Sequence, residues 1–574
     1  MLAGPIFSRE ALTAPRQLKH YLLRSGYIAA LLVLIYTAAQ ATFGFREIRN
    51  AGDMAQFGTF VFDVLAFVQL SLAMAAALLF GSSNVAQEKD RRTLILLLMT
   101  DLRNHELVVG KLLAGLLSVL MLIGVSLPVF CLLRMMGGVS LTQVLWIELL
   151  CLTAALAAGA WGSLVAFWRE KTFQTLAISV LGLVLFIGFV EGAATLAGSG
   201  TTAGRILGMF NPYRALLDLL HPLSRQPNAV VPVVSAWGPV LALLGIGLGL
   251  SAVTIWKVRL WNPSRFVFEQ AKKKEEQAEV RKQARTVWNT PIIWREICTR
   301  AYGRKILLIK LAYLVIAGLT LLAVMQTASD AAMLGMLGQS AFAFVGLSIL
   351  SLLLINAQAV TAFTSERDGQ TLELLLVTEV TAPEFIYGKL GGILYNTKEL
   401  IAVPLILLGW FLAQGQLTLE NTIYVGLGFV TLSLFAAMLG LHAGLTYDNS
   451  RTAIANSLGT MFFLFVGIFI CMVLMIEARA SYEMQLIPFL VFILGGALGL
   501  WASLTHKNPS SAFLLASAVL PFCTFYAIAS YLLGATLGVA LFVVVAYGFT
   551  TIAMLVPAVS EFDVALGRTT HGRG

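Results

Sequence analysis

Two sets of carboxylates, threonines and lysines recur in this chain at identical spacing. Glu88, Asp90, Thr93, Thr100 and Lys111 stand in EKDRRTLILLLMTDLRNHELVVGK; Glu366, Asp368, Thr371, Thr378 and Lys389 stand in ERDGQTLELLLVTEVTAPEFIYGK. The two stretches align without a gap, Leu94 on Leu372 and Gly110 on Gly388, and the second also carries Gly369 and Glu373. These residues form no nucleophile motif and no carboxylate pair placed for acid–base work. Their chemistry is contact: charge-assisted hydrogen bonds from a polar hairpin. A cytoplasmic loop between membrane spans has a similar composition, but retention of side chains in register favours a shared docking contact. Lys111 and Lys389 can snorkel to headgroups or donate to the partner.

Other chemistries lack their residues. The five cysteines form no CxxC pair and the six histidines no HExxH spacing, so neither a disulfide framework nor a metal site is expected. The pattern GxxxxGK[ST] is absent, because Gly110–Lys111 and Gly388–Lys389 lack the upstream Gly and the following Ser/Thr. The chain is therefore not expected to be an enzyme, and any ATP chemistry must come from elsewhere.

The elements that position the hairpins are apolar. Of 574 residues, 58% are hydrophobic and 12% charged, about half the charge fraction of a soluble protein. Mean hydropathy is +0.84. Apolar runs of about 20 residues predict an all-α polytopic membrane protein. Six spans are expected in residues 1–260 and eight after residue 291, the last two (512–533 and 536–556) without a partner in the first half. The division is a first unit at 1–260, a basic linker at 261–290, a second unit at 291–505 and two additional C-terminal spans with a tail at 506–574. PIFSRE (5–10) and PIIWRE (291–296) open the units, and each predicts a short interfacial helix. The N-terminus lacks the short h-region and A-x-A site of a cleavable signal peptide. FNPYRALLDLLHPL predicts a short amphipathic helix after Asn211–Pro212, re-entrant or in an ordinary outer loop.

Residues 257–305 hold 13 Lys/Arg against 5 Asp/Glu. Such a loop marks a cytoplasmic face beside anionic lipid rather than a nucleic-acid site. With both termini inside, the hairpins, the 168–171 turn and the basic loop are all cytoplasmic; Arg205, Arg214 and Arg225 fall outside, against the trend. Six spans separate the hairpins, so the units are expected to face the same way, as a parallel repeat. The stretches 168–177 and 446–455 align at the same offset as two tight turns, expected to satisfy helix ends.

The pattern E-x-D/E-x-G-T-L-E-x-L-L-x-T followed by G-K resembles the loop between the second and third spans of ABC type-2 permeases, the membrane subunits of ABC exporters and related ATP-driven machines. The resemblance implies two fused six-span units, each with an N-terminal interfacial helix, a cytoplasmic coupling helix at the hairpin and a re-entrant outer segment. It also implies a separate cytoplasmic ABC ATPase subunit, two copies per chain, with ATP and Mg on that partner and no cofactor bound by this chain. The expected setting is the plasma (inner) membrane, in contact with lipid. The first hairpin departs from the pattern at Arg91 and Ile95, where the second has Gly369 and Glu373.

One polar group lies within a span: Asn396, Lys398 and Glu399, about 10–15 Å along the helix from Lys389. It reads either as part of a pathway or as a site satisfied by a neighbouring helix. The matched residues are Ser118, Leu120 and Met121, so it is one-sided. An ion-coupled secondary transporter, which would carry matched carboxylates in both halves, and a non-transporting anchor for an ATPase are the alternatives. His442 reads as a packing histidine.

Overall fold

The computed structural model describes residues 4–13, 18–43, 51–91, 93–169, 172–197, 201–220, 237–262, 288, 290–298, 306–326, 339–369, 371–372, 380–469, 482–505, 510–532, 536–560 and 562. Every regular element among them is helical. Among the described residues, nine helices are long and apolar enough to cross a bilayer, ten if one bent pair counts as a span; three further apolar helices are shorter. The chain is an all-α multi-pass membrane protein, and the expected apolar runs are helical wherever they are described. The chain divides into two compact units, Met1–Lys282 with Ala478–Pro488, and Gln283–Glu477 with Phe489–Gly574.

In unit 1, α1 (Gly4–Thr13) is the short amphipathic helix expected from PIFSRE. It is followed by α2 (Leu18–Phe43), α3 (Ala51–Asp90), α4 (Thr93–Met99), α5 (Asn104–Met135), α6 (Leu141–Trp168) and α7 (Thr172–Ala197). Two short helices, α8 (Thr202–Gly208) and α9 (Pro212–Leu220), precede α10 (Trp237–Trp261). At 40 residues α3 is about 60 Å long, so it crosses the membrane and runs on into the hairpin.

Unit 2 contains α11 (Pro291–Cys298), α12 (Ile306–Gln326), α13 (Gln339–Asp368), α14 (Ala382–Asn396), α15 (Lys398–Ala413), α16 (Leu419–Thr446) and α17 (Ser450–Phe462). A π-helical turn, Phe463–Gly467, continues α17. Next come α18 (Tyr482–Leu504), α19 (Ser511–Leu532) and α20 (Thr536–Ser560).

The packing of one unit repeats in the other. The interfacial helix lies on the third span (α1 on α5, α11 on α14), and the second span packs most extensively on the fourth (α3 on α6, α13 on α16). Small residues let these backbones approach. A Cβ at Gly162 would stand 2.6 Å from the Leu78 carbonyl oxygen, and one at Gly440, its match, 2.6 Å from that of Asn356. Without a hydrophobic drive between helices in lipid, this close contact holds them. Gly440→Ala is expected to cost about 1–3 kcal/mol by overpacking, read as a lower melting temperature in detergent.

Two differences separate the units. Where α5 is one 32-residue helix, α14 and α15 meet at Thr397 with a 52° bend. And the helix that packs on α16 and α14 as α10 packs on α6 and α5 is the last one, α20. By packing, the chain's final helix closes unit 2; in chain order α18 and α19 precede it, as the short α8 and α9 precede α10.

Candidate docking site at the repeated hairpin

The hairpin of unit 1 is built from the end of α3 outward. The Arg91 amide donates to the Gln87 carbonyl (3.0 Å), and the Thr93 hydroxyl to the Glu88 carbonyl (3.3 Å). These bonds end α3, whose last residue is Asp90, and start α4. Leu94 is 2% exposed; with Leu98 it sits on a cluster of Val85, Leu107, Val108, Phe167 and Val258. Each such leucine contributes about 1.5–3 kcal/mol by burial. The opposite side of α4 is bare: Leu96 is 64% and Met99 66% exposed. Thr100 closes the helix on the Leu97 carbonyl (2.6 Å). Glu106 then caps α5 by accepting from the Arg103 amide (3.0 Å).

Unit 2 repeats these bonds at matched positions. The Gly369 amide donates to the Ser365 carbonyl (3.0 Å), the Thr371 hydroxyl to the Glu366 carbonyl (3.1 Å), and the Thr381 amide to Glu384 (3.1 Å). Leu372 is buried like Leu94. Glu373 and Thr378 lie outside the described residues.

The neck of each hairpin is an ion pair between the second and third spans. Lys111 binds Glu88, and Lys389 binds Glu366 at 2.6 Å. The lysines thus turn inward, onto the repeated glutamates. The next cation in each copy reaches the end of the fourth span: Lys89 donates to the Phe167 and Arg169 carbonyls, and Arg367 to that of Gly444 (3.1 Å). In unit 2 the Ser450 hydroxyl, at the start of α17, donates to Asp368. Hairpin and tight turn, the two features repeated at one offset, therefore join into one structure: in unit 2 it ties the ends of spans two to five together, and in unit 1 those of spans two to four.

Unit 2 adds the interfacial helix to this knot. Lys389 is 1% exposed and binds Glu296 as well, also at 2.6 Å. Arg295 binds both Glu296 (3.2 Å) and Glu366. The close seat of α11 comes from Gly388, where a Cβ would meet the Ile292 side chain at 2.7 Å. Burial works to raise the Glu296 carboxyl, but Lys389 and Arg295 outweigh it and hold it below the ordinary 4.5. A depressed carboxyl contributes stability that is complete above its unfolded value and lost as pH falls through the folded one. Melting temperatures measured downward from pH 6 should fall below about pH 4.5, and Glu296→Gln should flatten that fall. In unit 1 the matching Arg9 and Glu10 meet at 3.4 Å on the surface instead.

The polar residues of the third span of unit 2 lie at its break. Glu399 pairs with Lys310 of α12 at 2.6 Å, and Lys398 lies over the Tyr395 ring at 4.2 Å. Among the described residues the Asn396 amide nitrogen is buried without a partner. Glu399 is thus half satisfied by the neighbouring helix; its other carboxylate oxygen is buried without a partner among the described residues. His442 packs against Phe513 and meets the Leu504 carbonyl at 3.2 Å, a packing role.

At the end away from the hairpin, α9 buries Pro212, Ala215, Leu216 and Leu220 against α6 and α3. Arg214, which ran against the charge trend, pairs with Glu191 at 3.0 Å, and Asn211 donates to the same carboxylate (2.8 Å). α9 thus packs on the bundle instead of standing free of it. Sequence reasoning passed over Glu148, a buried carboxylate that accepts from Gln69 (2.8 Å) and Ser126 (3.1 Å); an acid inside the run 145–160 was its signal.

Residues 7–256, from α1 to α10, match the family described as ABC-2 family transporter protein. That family is a membrane permease without an ATPase site of its own. No curated protein matches the chain.

Proposed function

We propose that this chain is the permease subunit of an ATP-binding cassette exporter, with the second unit a further copy of the type matched by the first. Its motor is a separate cytoplasmic ATPase, one copy per hairpin, and the hairpins lie on the cytoplasmic side of the plasma membrane. The observation that carries this reading is α4: a short helix anchored by buried leucines and presenting Leu96 and Met99 outward. Exposed apolar side chains beside Arg91, Asp101 and Arg103, all at the surface, suit a protein partner better than water. In both copies a second carboxylate oxygen, on Glu88 and Glu366, is buried without a partner among the described residues.

The ion-coupled alternative is weakened by the carboxylates themselves. Glu148 is matched by Gly426 and Glu399 by Met121, so neither half repeats the acid of the other.

The test is purification of the tagged chain in mild detergent. A P-loop ATPase in a two-to-one ratio, with ATP hydrolysis in the same peak, is expected. A chain that elutes alone from its native membranes, with no ATPase in its peak, would overturn the reading.

A further inference from the structure

Each unit has an apolar cavity between its second, fourth, fifth and closing spans. In unit 1 it measures about 220 Å³; in unit 2, about 350 Å³. Five wall positions match at the repeat offset: Met74 with Leu352, Ala154 with Leu432, Ile187 with Phe465, Ile246 with Thr524 and Leu250 with Ile528. The larger cavity owes its size to unit 2's differences. The π-helical turn places Phe465 and Val466 in its wall, and α19 and α20 form one side. Single π turns inside α-helices frequently mark functional sites.

The cavity's polarity is concentrated. Ser348 is 8% exposed and lines it, and among the described residues its hydroxyl has no partner. A helical serine ordinarily returns its proton to the preceding turn; an unpartnered one in a cavity wall has a proton free to donate once a side-chain rotation turns it to a bound group. Thr524 and Tyr547, also in the wall, bond each other at 2.6 Å. Ser348 lies 18 residues before Glu366 on the continuous α13, about 27 Å along the axis. The hydrocarbon layer is about 30 Å thick. With Glu366 at one boundary, the hydroxyl stands near the other, and Leu352 lies deeper.

We propose that these cavities are hydrocarbon-chain sites, and that the one in unit 2 holds the acyl chain of an ester lipid from the leaflet opposite that unit's hairpin. The Ser348 hydroxyl donates to the ester carbonyl at the layer's edge, and the chain runs inward past Leu352 between α13, α16 and α20. A volume of 350 Å³ with an apolar wall lies in the range of built ligand sites. The inference requires only that the chain spans a membrane, so it does not rest on the ATPase reading.

The experiment reconstitutes the full chain in phosphatidylcholine vesicles doped with a phosphatidylcholine bearing a diazirine on one acyl chain. After irradiation, adducts are mapped by mass spectrometry. Adducts on Ile349, Ile528 and Val543 should exceed those on the exposed Leu314 and Ile406 several-fold. Gly428→Phe fills the cavity, since a Cβ there already meets Val543 at 3.8 Å; it should abolish the cavity adducts and leave the others unchanged. Ser348→Ala, which changes only the hydroxyl, should lower cavity labelling about threefold, the loss of one neutral hydrogen bond. Equal labelling of cavity and lipid-facing positions, or cavity labelling indifferent to both variants, would overturn the proposal.

Discussion

Lys389→Met is expected to cost about 3–5 kcal/mol, the penalty of removing one partner from a buried ion pair. The lysine ammonium lies between Glu296 and Glu366 at 2.6 Å each and also reaches the Ala362 carbonyl at 3.3 Å. Without it, two carboxylates share Arg295 alone, and Glu296, itself 2% exposed, has no water to replace the lost charge. The loss should appear as a large fall in melting temperature and in the yield of monodisperse protein. Adding Glu296→Gln should recover much of it, because one charge of the surplus is then gone. Lys111→Met in unit 1 makes the comparison. Its pair with Glu88 is more exposed, with side chains at 15% and 23%, and no charge from α1 joins it, so a smaller loss is expected. If Lys389→Met melted like the parent, the buried network would be no part of what holds the hairpin.

Charging the bare side of α4 should separate docking from folding. Leu96→Asp with Met99→Asp places two carboxylates where the native side chains already face solvent, so the permease should fold and melt normally. If those side chains fill a pocket on the ATPase, each acts as an interface anchor, worth about 2 kcal/mol or more. The pair should then weaken association by at least about a hundredfold and abolish ATP hydrolysis in the purified complex. Leu94→Asp makes the opposite control: it buries a charge among Val85, Leu107 and Phe167 and should damage the fold itself.

The sequence carried the hairpins well because their chemistry is local. A Thr hydroxyl closing on the carbonyl five residues earlier, and a glutamate capping the next helix, are set by spacing along one segment, and both copies have them. Apolar length likewise made the spans legible. For Lys389 the sequence offers snorkelling to headgroups or a bond to a partner, whereas the lysine pairs within the chain; a lysine at a span's entry looks the same whether lipid, a partner or α11 covers it. Only the packing of Ile292 on Gly388 decides between them. The bend at Thr397 is written as polar residues, Asn396, Lys398 and Glu399, without a proline at the break. Such residues show that a site is unusual and leave its geometry open. The place of α20 could not be read at all: hydropathy numbers the spans in chain order, whereas packing sets the last helix on α16.

The most direct test of the docking claim is a photo-crosslinking amino acid at position 99, irradiated in native membranes. The account predicts an adduct between this chain and a P-loop ATPase, and none from position 248, an exposed position on the spanning α10. An ATPase adduct from 248 as strong as from 99, or a 99 adduct with lipid alone, would contradict it.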